Sequence, residues 1–313
     1  MKNLKEDEKM SKIKTMGITL GMSSALLLAA CGDDTENKES SAGASSSSIG
    51  EQVDYTVVAT EPGAGLTGLS HEVMEQYENL EGWTLQESST AGMLSTLDKA
   101  IRNEEPVIVT GWTPHWKFSA YDLKILEDPK GILGGAENIQ TLARKGLEQD
   151  LPDVYTVLDR FYWEPEDMEK VMYDAQENGD FDVAAADWVE NNQDKVSEWT
   201  KDIAQGNGEK VKIISTPWDS EFASSSVIKL VLEQLGYEPE VTPVDPAIMF
   251  QSIATGEGDV TVAPWLPTTH KAFYDKHKDD IVDLGENLEG TQNGFVVPAY
   301  VEIDSIEDLK PKE

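Results

Sequence analysis

The sequence predicts an α/β protein whose two halves each contain a mostly parallel β-sheet flanked by helices. Three observations support this prediction. Short apolar segments alternate with helical patterns, and these apolar segments are continuous, as in strands that are buried on both faces. The same order of segments also occurs twice, because residues 213–219 align with residues 57–63 and similar elements follow each of them.

The first half starts with a predicted strand at 54–60. A turn at Gly63-Ala64-Gly65 leads into a helix, and a strand at 83–88, a second helix and a strand at 107–110 follow. Each helix has apolar residues on one face, which are Leu66, Leu69, Val73 and Tyr77 in the first and Leu94, Leu97 and Ile101 in the second. Trp112 follows the third strand.

The second half repeats this order. A strand at 211–216 leads to a helix that ends at Gly236, and a strand at 240–244, another helix and a strand at 259–263 precede Trp265. The apolar faces of the two helices are Val227, Ile228, Val231, Leu232 and Leu235, then Met249, Phe250 and Ile253. Residues 135–206 lie between the copies, and their pattern predicts helices that pack around the second half.

The N-terminal residues have the pattern of a bacterial export signal. A basic segment, a short apolar run and small residues precede Cys31, and Leu28-Ala29-Ala30-Cys31 is similar to a lipobox. We therefore expect residues 1–31 to be a signal peptide, and Cys31 to be lipidated and to anchor the protein to the outer face of the cell membrane. An ordinary buried cysteine is the alternative. Acidic residues at 6–8 are unusual in such a segment, so Met10 is an alternative start to Met1.

Composition and charge narrow the function classes further. Residues 32–52 are small and polar, which predicts a disordered tether. Acidic residues outnumber basic ones by 59 to 25, so the surface repels nucleic acid, and we expect no nucleic-acid partner. The sequence lacks a Gly-x-Ser-x-Gly elbow and the spacings of zinc ligands, so we predict no catalytic residues, no metal and no cofactor.

Three tryptophans lie at predicted strand ends beside prolines: Trp112, Trp218 and Trp265. Open α/β sheets bind ligands at the carboxyl ends of their strands. Indole faces attract a cation that cannot donate hydrogen bonds, such as a quaternary ammonium group. The three rings therefore predict an aromatic cage, with core packing as the alternative. The tryptophans that fall inside predicted elements are expected in the core, and these are Trp83, Trp163, Trp188 and Trp199.

A betaine also carries a carboxylate, and two features predict where it binds. The Gly63-Ala64-Gly65 turn opens a helix, so the free N–H groups of Gly65 and Leu66 are available to an anion. His270 lies five residues after Trp265 and offers a side-chain donor. Both signals are weak by themselves, because most Gly-x-Gly pairs are turns and most single histidines are structural.

Several motifs resemble the glycine betaine substrate-binding proteins of bacterial ABC transporters, the OpuAC type of Gram-positive bacteria. These motifs are Gly-Trp-Thr-Pro-His-Trp at 111–116, Leu-Ala-Arg-Lys-Gly at 142–146, Trp-Asp-Ser-Glu at 218–221, Ala-Thr-Gly at 254–256, Trp-Leu-Pro-Thr-Thr-His at 265–270 and Gly-Phe-Val-Val-Pro-Ala-Tyr at 294–300. The resemblance implies a two-lobed fold like the type II periplasmic binding proteins. Lobe one would be 53–123 plus 290–313, lobe two 124–289, with the ligand cleft between them.

The resemblance also implies the residue roles and the function. Trp112, Trp218 and Trp265 match the family's trimethylammonium box, and Gly65, Leu66 and His270 match its carboxylate contacts, with Leu66 in place of an isoleucine. We expect an extracytoplasmic, monomeric lipoprotein that captures glycine betaine for an ABC permease and its ATPase in osmoprotectant uptake. The alternative within the family is a choline- or carnitine-selective protein. A hydrolase and a sensor or adhesion module are the alternatives from other classes.

Overall fold

The computed structural model describes residues 47–313, which belong to one compact unit. Its α-helices are α1 Ile49–Gln52, α2 Gly65–Gln76, α3 Thr90–Arg102, α4 Lys117–Ala120, α5 Leu147–Asp150, α6 Pro152–Arg160, α7 Pro165–Asn178, α8 Phe181–Asn191, α9 Gln193–Trp199, α10 Asp219–Gln234, α11 Pro246–Thr255 and α12 Lys271–His277. Its strands are β1 Thr56–Val58, β2 Thr84–Gln86, β3 Val109–Thr113, β4 Leu123–Ile125, β5 Glu137–Arg144, β6 Lys210–Ser215, β7 Glu238–Pro243, β8 Val260–Thr261, β9 Trp265–Leu266 and β10 Ile281–Pro298. Short 3₁₀ turns lie at Glu78–Leu80, Lys278–Asp280 and Ile306–Asp308.

The predicted signal, Cys31 and most of the tether lie outside the described residues. The last residues assigned to the tether differ from the prediction, because Ile49–Gln52 form α1. Ser48 caps this helix in a capping box with Glu51, and Gly50 is buried against Tyr55 and Trp83. A cap and a packed glycine are local features that a composition argument does not detect. None of the described helices has the length and hydropathy to span a bilayer.

The parallel strands form two groups of three, one in each half of the chain. In the first group β1 lies between β2 and β3, and both pairings are parallel. In the second group β6 lies between β7 and β8, again with parallel pairing. Because the strands are separated by α2 and α3 in one half and by α10 and α11 in the other, the predicted α/β class and internal repeat are confirmed.

The long strand β10 connects the two groups through antiparallel pairing. Its first part pairs with β5 as far as Thr291, and its second part pairs with β3 from Gln292 onward. Strand β4 pairs with the end of β10, and β8 and β9 pair with β5. The switch of partner on β10 lies close to residues 289–290, where the family resemblance implies that the chain passes from lobe two to lobe one. The division into lobes stays a prediction.

The expectation that residues 135–206 are helical throughout is wrong at Glu137–Arg144, which form β5. The segment Glu-Asn-Ile-Gln-Thr-Leu-Ala-Arg contains good helix formers, but three strands pair with it and tertiary pairing overrides weak local propensity. The rest of the segment forms α5 to α9, and α7 and α8 pack against α10 as predicted.

The core contains the four tryptophans that the sequence assigns to it. Trp163 is fully buried, and Trp83, Trp188 and Trp199 are almost so. Trp188 and Trp199 stack with ring centroids 5.9 Å apart, and Phe161 and Trp163 pack beside them. Trp163, Trp188 and Trp199 pack against one another among the helices that follow β5, and the other three tryptophans line a cavity described below.

Candidate functional site

The six residues that the sequence predicts as ligand contacts line one cavity. The space between these residues is about 320 Å³, part of which is open to solvent. The lining residues are Ala64, Gly65, Leu66, Trp112, Trp218, Glu221, Trp265, Thr269, His270 and Asn293. The structure therefore brings together residues from positions 64 to 293, and adds four that the sequence analysis did not assign.

Each tryptophan of the cage is held by a different element. Trp112 lies within β3 rather than after it, Trp218 precedes α10 as its N-cap residue, and Trp265 opens β9. All three side chains are buried, with 7%, 9% and 3% of their surfaces exposed. The three rings are therefore largely shielded from solvent.

The indole N–H groups of the cage all point to protein acceptors. Trp112 Nε1 donates to Ser220 Oγ at 3.3 Å, and Trp265 Nε1 donates to Glu221 Oε1 at 2.9 Å. Trp218 Nε1 donates to Glu61 Oε2 at 3.1 Å. Because these polar edges are already satisfied, the rings offer a ligand their π-faces and C–H edges. That surface suits a head group covered with methyl groups.

The start of α2 supplies backbone donors. Its N-cap residue, Ala64, makes no side-chain cap, and the first turn contains no acidic residue. The N–H groups of Gly65 and Leu66 lie at the positive end of the helix dipole. Gly65 also touches the opposite wall, because a Cβ at this position would lie 2.3 Å from the Thr269 carbonyl oxygen. Glycine is therefore required by close approach, not by its backbone angles.

His270 is a neutral donor. Its Nδ1 accepts a hydrogen bond from the Trp265 backbone N–H at 2.9 Å, which leaves the proton on Nε2. The side chain is fully buried, and burial lowers the pKa of His270 to about 4. The Nε2–H group is thus available to an acceptor in the cavity at neutral pH.

A buried carboxylate fixes the loop that carries His270. Glu137 Oε1 accepts from the backbone N–H groups of Thr268 at 2.5 Å and Thr269 at 2.7 Å. Its other oxygen accepts from the Thr269 hydroxyl and from Asn293 Nδ2, the latter at 2.9 Å. These donors satisfy a charge that burial would otherwise make costly. Glu137 therefore holds Thr269 and Asn293 at the cavity wall.

A second buried carboxylate, Glu221, lines the cavity itself. Its Oε1 accepts from Trp265, and its Oε2 accepts from the Ser220 hydroxyl at 2.6 Å. Burial raises the pKa of Glu221 to about 7, although both hydrogen bonds act in the opposite direction. Burial thus favours the protonated form of this group relative to an exposed glutamate.

Charged residues also lie behind Trp112. Lys117 is fully buried, with Nζ 4.4 Å from the centre of the Trp112 ring, and burial lowers its pKa to about 7. Asp219 accepts from Trp116 Nε1 at 2.6 Å, and its Oδ2 lies 3.9 Å from His115 Nε2. These contacts join the segment after β3 to the start of α10.

Comparison with known proteins identifies the family of this chain. A family model described as the substrate binding domain of ABC-type glycine betaine transport systems matches residues 36–191 and 209–313. The chain belongs to this family. The resemblance noted from the motifs is therefore confirmed, and the family's role is to bind a substrate rather than to transform it.

The chain is similar to several individual proteins. The chain is 44% identical over 264 residues to the glycine betaine/carnitine transport binding protein GbuC of Listeria monocytogenes serotype 1/2a (strain 10403S), covering 84% of this chain and 88% of the relative. Lactococcal OpuAC, solved in a closed conformation with glycine betaine, is 43% identical, with a TM-score of 0.47 over 48% of this chain and 59% of that one. The glycine/betaine/L-proline-binding protein ProX of Borrelia burgdorferi is 34% identical, with a TM-score of 0.46 over 49% and 58%.

The cavity contains residues that sequence reasoning did not assign. Glu221 belongs to the Trp-Asp-Ser-Glu motif, so its place one turn after Trp218 was a usable signal. Thr269 lies beside His270 in another motif. Asn293 and Glu137 had no such signal, because their place at the site depends on the pairing of β10 with β5 and β3. Within residues 47–313 no cluster of His, Cys, Asp and Glu has the arrangement of a metal site.

Proposed function

We propose that this protein captures glycine betaine outside the cell and delivers it to an ABC importer. The single observation that supports this most strongly is the shared cavity of Trp112, Trp218 and Trp265 with Gly65, Leu66 and His270. One set suits a quaternary ammonium group and the other suits a carboxylate. A betaine carries both groups, separated by one short carbon chain.

The three indoles recognise the cationic end. A trimethylammonium group spreads its charge over methyl groups that cannot donate hydrogen bonds, so its best partners are electron-rich ring faces. Each ring contributes on the order of 0.5–2 kcal/mol when the contact is shielded from water. Burial of all three tryptophans supplies that shielding.

The other end of the cavity recognises the carboxylate. Gly65 and Leu66 present backbone N–H groups at a helix start, and His270 presents Nε2–H as a neutral donor. Charge-assisted hydrogen bonds of this kind are about twice as strong as those between neutral groups. The ligand's two charges thus both find partners, so neither is buried alone.

Binding is coupled to closure of the two predicted lobes, 53–123 with 290–313 and 124–289. Trp112, Gly65 and Leu66 belong to the first, and Trp218, Trp265 and His270 belong to the second. The bonds Trp112–Ser220, Trp218–Glu61 and Trp116–Asp219 all run between these two sets of residues. A cavity completed only by closure makes its full contacts in one state, so the ligand favours that state.

The same proposal also gives the location of the protein in the cell and its partners. The mature protein is a monomer held at the outer face of the cell membrane by a lipid on Cys31. Residues 32–48 act as the tether, and the closed form is the state that the permease and its ATPase receive. Support comes from the lipobox pattern at 28–31 and from the family's role in ABC transport.

Calorimetric titration of purified residues 32–313 tests the function. Glycine betaine is compared with proline betaine, carnitine and choline, of which carnitine is included because the Listeria relative is named for it. We expect saturable one-to-one binding of glycine betaine, and weaker binding of choline because it lacks the carboxylate. Tight choline binding without betaine binding would favour the choline-selective alternative and would contradict the proposal.

A further inference from the structure

Glu221 is a buried carboxylate that connects two of the three cage tryptophans. It accepts from Trp265 Nε1 through one oxygen and from the Ser220 hydroxyl through the other. The Ser220 oxygen in turn accepts from Trp112 Nε1. One side chain therefore orients Trp265 directly and Trp112 through a single hydroxyl.

The charge of Glu221 has no cationic partner among residues 47–313. None of the ion pairs in this part of the chain includes it, and it is 2% exposed. Glu137 is also buried without an ion pair, but it accepts from four donors, two of them backbone N–H groups. Glu221 accepts from two neutral side chains and lines the cavity.

A carboxylate in this position is costly unless a cation lies near it. Burial without a cation favours the protonated form, and the pKa of Glu221 is raised to about 7 accordingly. A quaternary ammonium group in the cage would supply the missing positive charge without needing a hydrogen bond. The cavity is thus better matched to a cation than to a neutral group of the same shape.

We propose that Glu221 is the residue that makes the cage selective for positive charge, by orienting Trp265 and Trp112 and by acting as the counter-charge to the ligand's ammonium group. This inference rests on the proposed function, since it names how the same site recognises its ligand. Without the charge of Glu221, replacing the ammonium group by a neutral tert-butyl group would cost less affinity, because the methyl groups pack against indole in either case.

Protonation of Glu221 then opposes binding. The ionised form predominates above pH 7, so affinity for glycine betaine falls as the pH is lowered through that value. Several other titratable groups face the region. They are Asp219 on α10, Lys117 and His115 after β3, Glu169 on α7, His270 after β9 and Glu61 after β1.

The effect of Lys117 on the pH dependence of binding must be distinguished from that of Glu221. The pKa of Lys117 is also lowered to about 7 by burial, and its protonation behind Trp112 would weaken cation binding in the same pH range. His270 and His115 have pKa values below that range, lowered by burial. Replacing Lys117 by methionine keeps an unbranched buried chain and removes its charge.

The test measures two ligands against matched variants. The ligands are glycine betaine and 3,3-dimethylbutanoate, in which carbon replaces the quaternary nitrogen and the carboxylate is retained. Glu221→Gln keeps an acceptor for Trp265 and removes the charge, whereas Ser220→Ala breaks the connection to Trp112 and keeps the charge. At pH 8 we expect Glu221→Gln to reduce the preference for glycine betaine by at least about tenfold. Ser220→Ala should weaken both ligands by a similar factor.

The pH profile gives a second readout. In Lys117→Met, glycine betaine affinity should still fall several-fold between pH 8 and pH 6, and adding Glu221→Gln should remove that dependence. Without ligand, the indole N–H resonance of Trp265 should shift with a midpoint near the pKa of about 7, and Glu221→Gln should abolish the shift. An unchanged ligand preference in Glu221→Gln would overturn the inference, and an unchanged pH profile would overturn the assignment of the pH dependence to Glu221.

The outcomes also separate this inference from the function on which it rests. Wild-type protein that binds neither ligand at pH 8 overturns the proposed function, and with it the role of Glu221. Wild-type protein that binds glycine betaine, with the same ligand preference in Glu221→Gln, overturns the role of Glu221 alone.

Discussion

The helices α2 and α10 occupy equivalent places in the two halves, and they begin in opposite ways. Each follows the first strand of its half, β1 or β6, and reaches the cavity with its N-terminus. The first turn of α2 contains no acidic residue, whereas the first turn of α10 contains Asp219 and Glu221. A helix N-terminus favours negative charge in both cases.

On the proposed function, this difference explains how one repeated unit could provide both ends of a zwitterion site. At α2 the negative charge is left to the ligand, whose carboxylate would meet the N–H groups of Gly65 and Leu66. At α10 the helix carries its own negative charge, and Glu221 faces the cage where the ligand's cation would lie. On the proposed function, the same local physics would yield an anion site in one half and part of a cation site in the other.

The largest expected effect is on the cation end. Trp265→Ala removes a cage face and the hydrogen bond to Glu221, so glycine betaine affinity should fall roughly a hundredfold. Trp265→Phe keeps a ring face without the N–H group and should lose less. Titration calorimetry measures both variants. If Trp265→Ala instead retains its affinity, or unfolds at the same low temperature with and without ligand, the residue belongs to the core and not to a cage.

A smaller loss of affinity is expected from a change at Gly65, which lies at the proposed carboxylate end of the cavity. Gly65→Ala places a methyl group 2.3 Å from the Thr269 carbonyl oxygen, so the two walls must move apart and affinity should fall about tenfold or more. Gly68→Ala is the matched control, because this glycine lies in the same helix with open space around it. The control should bind normally and be slightly more stable, since alanine is the better helix former. Equal binding by the two variants would mean that Gly65 does not meet Thr269 in the bound state.

The effect of replacing His270 is expected to depend on whether the ligand carries a carboxylate. His270→Ala removes one donor to a carboxylate, so it should weaken glycine betaine binding several-fold and choline binding much less. Parallel titrations of both ligands measure the ratio. An equal loss for the two ligands would show that His270 acts on the shape of the cavity rather than on the carboxylate.

The smallest expected effect is on the pH dependence of thermal stability in the ligand-free protein. The pKa of His270 is lowered from 6.5 to about 4 by burial, so the unfolded chain binds a proton more readily than the folded one. The stability that His270 contributes is therefore present above pH 6.5 and is lost as the pH falls toward 4. His270→Asn should lose less thermal stability than wild type over that range. Identical pH profiles of the melting temperature would contradict the buried, neutral state of His270.

Local sequence signals were sufficient for most of the cage. Trp112, Trp218, Trp265 and the Gly65 turn were predicted together because each follows a predicted strand in a repeated pattern. The structure places all of them at one cavity, although Trp112 lies within β3 and Trp265 opens β9. The α/β class followed from the same repeat. These features depend on neighbours within a few residues, which a sequence displays directly.

The residues that the sequence did not reveal depend on distant pairing. Glu137 reads as part of a helix until β5 is seen to pair with β10, and only that pairing brings it to Thr269 and Asn293. The role of Glu221 was missed for another reason. A glutamate in the first turn of a helix is ordinarily a surface residue, and its burial depends on the packing of Trp112 and Trp265 around it.

A crystal structure with glycine betaine bound would test the central claim most directly. We predict the trimethylammonium group between the faces of Trp112, Trp218 and Trp265, within about 6 Å of each ring centre. The carboxylate should lie within hydrogen-bond distance of the Gly65 and Leu66 N–H groups and of His270 Nε2. A ligand bound in the reverse direction, or outside this cavity, would contradict the assignment of the two halves to the two charges.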